Sequence, residues 1–341
     1  MGYRLDAPLW FVQHVGMAVS AAPARPVGGR DYPTTFAGFH SWFADEEGCL
    51  AFLERLRWPE GFVCLSCGAV GEPWRMRRRR LRCRVCRYET SATAGTIFAD
   101  TKLPLTTWFQ TIWLVTNQKH GTSALDVQRA IGMSYETAWT ILHKLRRTMV
   151  RQGRESLSGV VEVDEIYVGG VVPGRRGRGA LGKAIVAISV EGLGVGEQSQ
   201  RVALGRVRLQ RIPNVQVATL TDFVLDTCDL DAVIYTDQWV GYNDLGNVGF
   251  THVKTNISAS GDPAHVAMPC VHRVASLLKR WLLGTHQGGV SIRQLDFYLD
   301  EFVFRFNRRT SSSRGLLFYR LMEQAVATAP TPAKDIIGGR P

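Results

Sequence analysis

Four cysteines stand as two close pairs, Cys64/Cys67 and Cys83/Cys86, in the pattern C-x2-C-x15-C-x2-C. Each pair turns tightly enough for both sulfurs to reach one ion, and two pairs complete a tetrahedral four-thiolate Zn²⁺ site. Four protein ligands leave no open coordination position, so such a zinc folds the chain and does no chemistry. Two aspartates point to a different task. Asp164 lies inside the β-branched run VEVDEIYVGG, and Asp237 ends the short apolar run DAVIYTD. A lone buried Asp is more often a turn or cap residue. Two at strand positions of one sheet can bridge a pair of divalent ions, Mg²⁺ or Mn²⁺, which together clamp an in-line displacement at phosphorus.

The charge balance agrees with a phosphate-bearing partner. Lys and Arg number 41 against 30 Asp and Glu, a net charge of +11, and the isoelectric point is near 9.6. Such an excess implies nucleic acid or an acidic membrane face, or else a basic but inert surface. With 341 residues, 45% hydrophobic and 21% charged, the chain is neither wholly disordered nor collagen-like nor a disulfide-stapled mini-protein. It has no stretch of about 18 uncharged apolar residues, which argues against a spanning helix. Isolated thiols at Cys49, Cys228 and Cys270 beside a thiolate zinc site predict a reducing compartment, the cytoplasm. The densest charge surrounds the second cysteine pair, in WRMRRRRLRCRVCR. Arg77, Arg78, Arg79 and Arg80, flanked by Arg75, Arg82, Arg84 and Arg87, are candidates for phosphate-backbone contact; a solvated charged hairpin is the alternative.

The elements that must position these groups follow from periodicity. Residues 9–23 interrupt an apolar run with Gln13 and His14, so residues 1–35 read as a disordered leader closed by APARPVGGRDYP. A zinc ribbon over 36–100 precedes a helical unit over 101–157. Within that unit Ser123 caps a helix to about Ile131, Gly132 ends it, and Ser134 caps a second from Tyr135 to Met149. Two short helices about a Gly-containing turn are helix-turn-helix-like, with Tyr135 and Thr137 near the start of the second helix, where base edges are met. A plain helical pair joining two domains is the alternative. From residue 158 the order β-β-β-α-β-(α)-β-α predicts an α/β (α+β) domain, an RNase H-like mixed sheet with flanking helices, to about residue 310. Residues 311–341 carry Pro and Ala without clear pattern and are expected to be a loosely ordered tail.

Taken together, the zinc motif, GTIFADTKLPLTTWF, VEVDEIYVGG, YTDQWVGY, and VHRVASLLKRWLLGTHQGGVS followed by YLDEFVFRFNRR are specific. Over about residues 36–310 the chain resembles bacterial insertion-sequence transposases of the DDE type, in the subgroup with an N-terminal zinc ribbon and an RNase H-like catalytic domain. The resemblance implies a third metal ligand, usually Glu, about 35 residues after the second Asp on a helix, and a basic residue seven positions further on. This chain has His272 and Lys279 there. His272, Ser276 and Lys279 share one helix face. His272 would then bind metal, while Lys279 and the adjacent Arg280 reach DNA. Imidazole suits Mg²⁺ less well than carboxylate, so Mn²⁺ or a neighbouring carboxylate such as Glu301 is expected to compensate. PGRRGRGALGK, with Arg175 and Arg176, reads as a basic loop tracking DNA near the site. His286 and Gln287 either position a strand or belong to an ordinary helix-helix loop.

The implied activity is metal-dependent cleavage at terminal inverted repeats and strand transfer into target DNA, carried by Asp164, Asp237, His272 and Lys279. Double-stranded DNA is the partner, and two element ends imply at least a homodimer at synapsis. Two other functions fit the same residues. One is a catalytically impaired or repurposed DNA-binding protein, motivated by His272 in place of Glu. The other is an RNase H-like nuclease without strand transfer, since one scaffold hosts many activities.

Overall fold

A computed structural model describes residues 25–151, 153–169, 183–195, 202–255 and 264–338. Two short helices open it, α1 (Phe36–Trp42) and α2 (Glu46–Arg57). Thr35 and Asp45 cap them, each side chain accepting a backbone N–H three residues on. A three-stranded antiparallel ribbon follows, β1 (Trp74–Arg75), β2 (Leu81–Arg82) and β3 (Glu89–Thr90). Next come α3 (Leu105–Asn117), α4 (Ala124–Ile131) and α5 (Tyr135–Thr148). The expected caps are present. Ser123 forms a full capping box with Asp126, Gly132 takes the left-handed C-cap conformation at φ 80°, and Ser134 accepts from the Thr137 amide.

The second half is the mixed sheet. β4 (Val160–Val168), β5 (Ala184–Val195) and β6 (Val202–Ile212) run antiparallel in succession. Helix α6 (Val217–Thr227) crosses to β7 (Val233–Thr236), which lies parallel to β4, and β8 (Thr251–Lys254) lies parallel to β7. The strand order β6-β5-β4-β7-β8 is that of an RNase H-like sheet. A short helix α7 (Ala264–Ala267) leads into α8 (Pro269–His286), then α9 (Leu295–Phe306), α10 (Arg314–Ala327) and α11 (Ala333–Gly338).

Side-chain alternation along β4 and β5 assigns the two faces of the sheet. Ile166, Ala184, Val186, Ile188 and Val190 pack with α8 and α9. Val161, Val163 and Ala187 pack with Leu220, Phe223 and Val224 of α6. A third core joins α1–α5, the ribbon residues Leu81 and Cys83, and Phe318, Leu321, Met322 and Ala325 of α10. That membership corrects the reading of the C-terminus. Residues 314–327, expected to be loosely ordered, form a helix, and Phe318 sits with its ring 5.6–6.0 Å from Phe43, Phe39, Trp113, Phe52 and Phe109. Gly315 permits this docking, because a Cβ there would stand 1.9 Å from the Pro33 carbonyl oxygen. The leader is corrected in part for the same reason: Tyr32 is buried beside Tyr319, their rings 5.9 Å apart. Residues 1–24 lie outside the described residues.

The N-terminal helices dock on the sheet domain through polar contacts. Arg305 of α9 donates to the carbonyls of Val115, Gln118 and Lys119 at the end of α3. Trp281 Nε1 and Thr285 Oγ1 of α8 both donate to the His120 carbonyl, at 2.9 and 2.7 Å. These donors satisfy carbonyls that a helix C-terminus leaves without intrahelical partners. Beneath them Arg146 Nε donates to Glu301 Oε2 at 2.8 Å, with side chains 2% and 1% exposed. Glu301, named from sequence as a carboxylate that could assist His272, is tied by this ion pair to α5. No described helix is long and apolar enough to cross a membrane.

Candidate active site and nucleic-acid interface

Register brings the two aspartates level. In the parallel pair β4/β7, Val160 faces Val233, Val161 faces Ile234 and Glu162 faces Tyr235. Two residues further along both chains stand Asp164, within β4, and Asp237, just past the end of β7. Neighbouring residues of parallel strands point to the same face, with backbones about 4.8 Å apart. Asp164 shares its face with Ile166 and Glu162, the side covered by α8. Asp164 Oδ1 accepts the Glu165 amide at 2.8 Å, and Asp237 Oδ1 accepts the Trp239 amide at 2.9 Å. The second bond closes the turn after β7, and Trp239 Nε1 fastens that turn to the Val215 carbonyl.

His272 comes to the same face by way of α8. Glu162 Oε2 accepts the backbone amides of Cys270 and Val271 at 2.8 and 3.0 Å, in the first turn of that helix. The next residue is His272, half-buried, with Ser276 and Lys279 exposed along the same stripe and Arg280 exposed beside it. Burial pushes the Glu162 carboxyl up, and the two amides oppose that shift. On the opposite face Glu165 Oε2 accepts the Tyr242 hydroxyl at 2.9 Å. Burial raises the Tyr242 phenol well above its ordinary range, and the charges of Glu165, Asp164 and Asp237 add to the shift.

Glu162, Glu165 and Tyr242 were not assigned roles from sequence. The signal lay in VEVDE itself, where two glutamates interrupt a strand buried on both faces. A carboxylate in such a place must be hydrogen-bonded.

The cysteine site is compact. Among the described residues it is the only group of three or more His, Cys, Asp or Glu whose ligand atoms all lie within 4.8 Å of one another. Cys64 and Cys86 sulfurs are 3.5 Å apart, and those of Cys67 and Cys83 are 3.8 Å apart. A tetrahedral ion with Zn–S bonds of about 2.3 Å requires about 3.8 Å between sulfurs. Matching backbone turns build the two halves: Gly68 N–H donates to the Cys64 carbonyl, and Arg87 N–H to that of Cys83. The donor set and its spacing fit structural zinc.

The arginine run is more self-contained than its composition suggests. Glu54 pairs with Arg75, Glu46 with Arg79, and Glu89 with both Arg80 and Arg82. Arg87 stacks on Trp74, its guanidinium carbon 4.2 Å from the ring centroid. Among the described residues Arg77 and Arg78 have no carboxylate partner, and Arg78 and Arg79 occupy a left-handed turn at φ 55° and 58°. Tyr135 is exposed at the start of α5, and Thr137 is half-buried with its Oγ1 accepting from Ser134. Arg175 and Arg176 lie outside the described residues. His286 packs edge-on against Trp281 and Tyr298, centroids 4.7 and 4.6 Å apart, as a helix-packing residue.

The chain thus joins a four-cysteine ribbon to an RNase H-like domain, with Asp164 on the central strand and Asp237 just past the end of its neighbour. Residues 156–307 match the ISXO2-like transposase domain, and residues 44–89 match the transposase zinc-ribbon domain. The chain belongs to this family of transposases. A relative from Halobacterium salinarum, described as an uncharacterized protein in transposable element ISH50, is 26% identical over 77% of this chain and 91% of its own. An uncharacterized transposase-like protein of Haemophilus influenzae is 27% identical over 33% of this chain and 89% of its own.

Proposed function

We propose that the protein cleaves DNA at the ends of its element and joins the freed 3′ ends to target DNA, with Asp164, Asp237 and His272 holding two divalent ions. The observation that supports this most is the β4/β7 register, which sets Asp164 level with Asp237 on the face covered by the His272 helix. The three side chains are not gathered within 4.8 Å, the span of a single-ion cage. Two ions about 4 Å apart need the wider arrangement. When bound, such ions would supply the positive charge that activates an attacking oxygen and steadies the leaving one. The chain's own part is to hold the phosphodiester in line. Lys279 and Arg280, exposed beyond His272 on α8, would take adjacent phosphates. The zinc ribbon (36–100) and the helical unit (101–157) would bind flanking duplex, with Arg77, Arg78, Tyr135 and Thr137 nearest to it.

Asp164→Asn and Asp237→Asn each remove one ionic ligand while keeping shape. Both variants are expected to bind terminal-repeat DNA as the wild type does and to lose cleavage by at least about 1,000-fold. Cleavage at the wild-type rate in either variant would discard the reading. A second reading, DNA binding without cleavage, draws on imidazole at the third position. It predicts no Mg²⁺- or Mn²⁺-dependent nicking in single-turnover assays, and His272→Glu would then create activity where the wild type has none.

A further inference from the structure

Asp164 is flanked on its own strand by two buried carboxylates, each 8% exposed, that the proposed reaction does not use. They reach in opposite directions. Glu162, on the Asp164 face, holds the Cys270 and Val271 amides immediately before His272. Glu165, on the other face, holds the hydroxyl of Tyr242, which closes the turn Val240–Tyr242 after Asp237. Tyr242 is itself fully buried. Three short links therefore run out from one strand: through its own backbone to Asp164, through Glu162 to the helix of His272, and through Glu165 and Tyr242 to the turn after Asp237.

Burying two carboxylates is an expensive way to fasten a helix and a turn that apolar packing already covers. What carboxylates add is direction. An ionised oxygen at a helix N-terminus takes two amides along fixed lines, and a charge-assisted bond to a phenol is shorter and stiffer than a van der Waals contact. We propose that Glu162 and Glu165 are positioning residues that fix His272 and Asp237 at set offsets from Asp164, so that the three ligands stand ready for the ions. The inference rests on the ligand assignment made above. It adds that ligand spacing is set from within β4, by residues that touch neither metal nor DNA.

The test uses the zinc-loaded full chain with Mn²⁺ as probe, free Mn²⁺ being read by electron paramagnetic resonance. Glu162→Asp withdraws the carboxylate by one methylene, and Tyr242→Phe deletes a single hydroxyl. Each is expected to weaken Mn²⁺ binding about 10-fold or more, since displacements near 1 Å disrupt a prepared site. Salt-dependent affinity for terminal-repeat DNA should stay at the wild-type value, and the loss of Mn²⁺ affinity should not scale with any fall in melting temperature across the variants. Cleavage should return to within about 3-fold of wild type once Mn²⁺ is saturating, because the ligands themselves remain. Glu162→Gln, which keeps an acceptor at full reach, should lie between wild type and Glu162→Asp. Mn²⁺ affinity within twofold of wild type in both Glu162→Asp and Tyr242→Phe would overturn the inference. So would a loss of Mn²⁺ affinity that only tracks falling melting temperature and DNA binding, which marks a merely structural role. If wild type binds Mn²⁺ no better than Asp164→Asn, the ligand assignment fails and the inference with it, an outcome distinct from the other two.

Discussion

Glu301 offers the sharpest test of how the two halves of the molecule are joined. Its Oε2 lies 2.8 Å from Arg146 Nε, with both side chains almost wholly removed from water. Its Oε1 has no hydrogen-bond partner among the described residues. Arg146 also lies over the Tyr298 ring, 4.1 Å from its centroid. Desolvating two ions costs several kcal/mol each, and their mutual attraction repays that only while both are present. Glu301→Leu would leave a guanidinium buried without its anion, at a cost of about 3–5 kcal/mol. Arg146→Met would strand the carboxylate at similar cost. The pair Arg146→Met/Glu301→Leu leaves no charge behind and should fall within about 1 kcal/mol of wild type, or above it. Urea unfolding followed by tryptophan fluorescence, on zinc-saturated protein, gives the coupling energy through a double-mutant cycle. A coupling of at least about 2 kcal/mol is expected. If Glu301→Leu alone costs under about 1 kcal/mol, the junction is wet and the reasoning fails. If the double variant folds fully but loses metal-dependent cleavage, Glu301 serves the metal site after all.

Three further expectations concern the N-terminal core and its junction with the sheet domain. Phe318→Ala removes the ring that five other aromatics surround and should cost about 4 kcal/mol, read as early loss of helical circular dichroism; a cost below 1 kcal/mol would detach α10 from that core. Stripping zinc with a chelator should unfold more than the ribbon, because Leu81 and Cys83 share a core with α2 and α3; helicity unchanged at zero bound zinc would contradict this. Burial first, then the Arg146 charge, lowers the His143 imidazole to about 3, and burial lowers His286 to about 4. Both are held neutral, so the stability tied to neutrality is fully present above the ordinary histidine value of about 6.5 and is lost as pH falls towards 4. Between pH 7.5 and 5.5 each should withdraw about 1 kcal/mol, and His143→Phe should flatten the slope in denaturation midpoints.

Much of the sheet was legible because strand chemistry is local. VEVDEIYVGG, KAIVAISVE and DAVIYTD are β-branched runs between turn residues, and they are β4, β5 and β7. The α4–α5 pair was equally open, since Ser123, Gly132 and Ser134 punctuate it. The C-terminal helix was missed although Leu317, Phe318, Leu321 and Met322 recur at helical spacing. Flanking Pro, Ser and Ala made that segment look like a tail, and its partners lie more than two hundred residues earlier in the chain. The ion pairs within the arginine run were not legible, because Glu46 and Glu54 reach it from another element. Pairing across such distances leaves no periodic trace. For Glu301 the spacing along α9 shows a buried face but not what stands opposite, and only tertiary contact with α5 supplies Arg146.

The return of α10 to the first helices has a consequence for synthesis. A ribosome releases the zinc ribbon and the α4–α5 pair long before Phe318, Leu321 and Met322 are made, so the emerging amino-terminal portion waits with an open apolar seam until α10 has emerged. Polypeptides ended early by a stop codon or a frameshift lack the closing helix. Such fragments would keep that seam exposed to water and to other chains, because Phe318, Leu321, Met322 and Ala325 are what closes it.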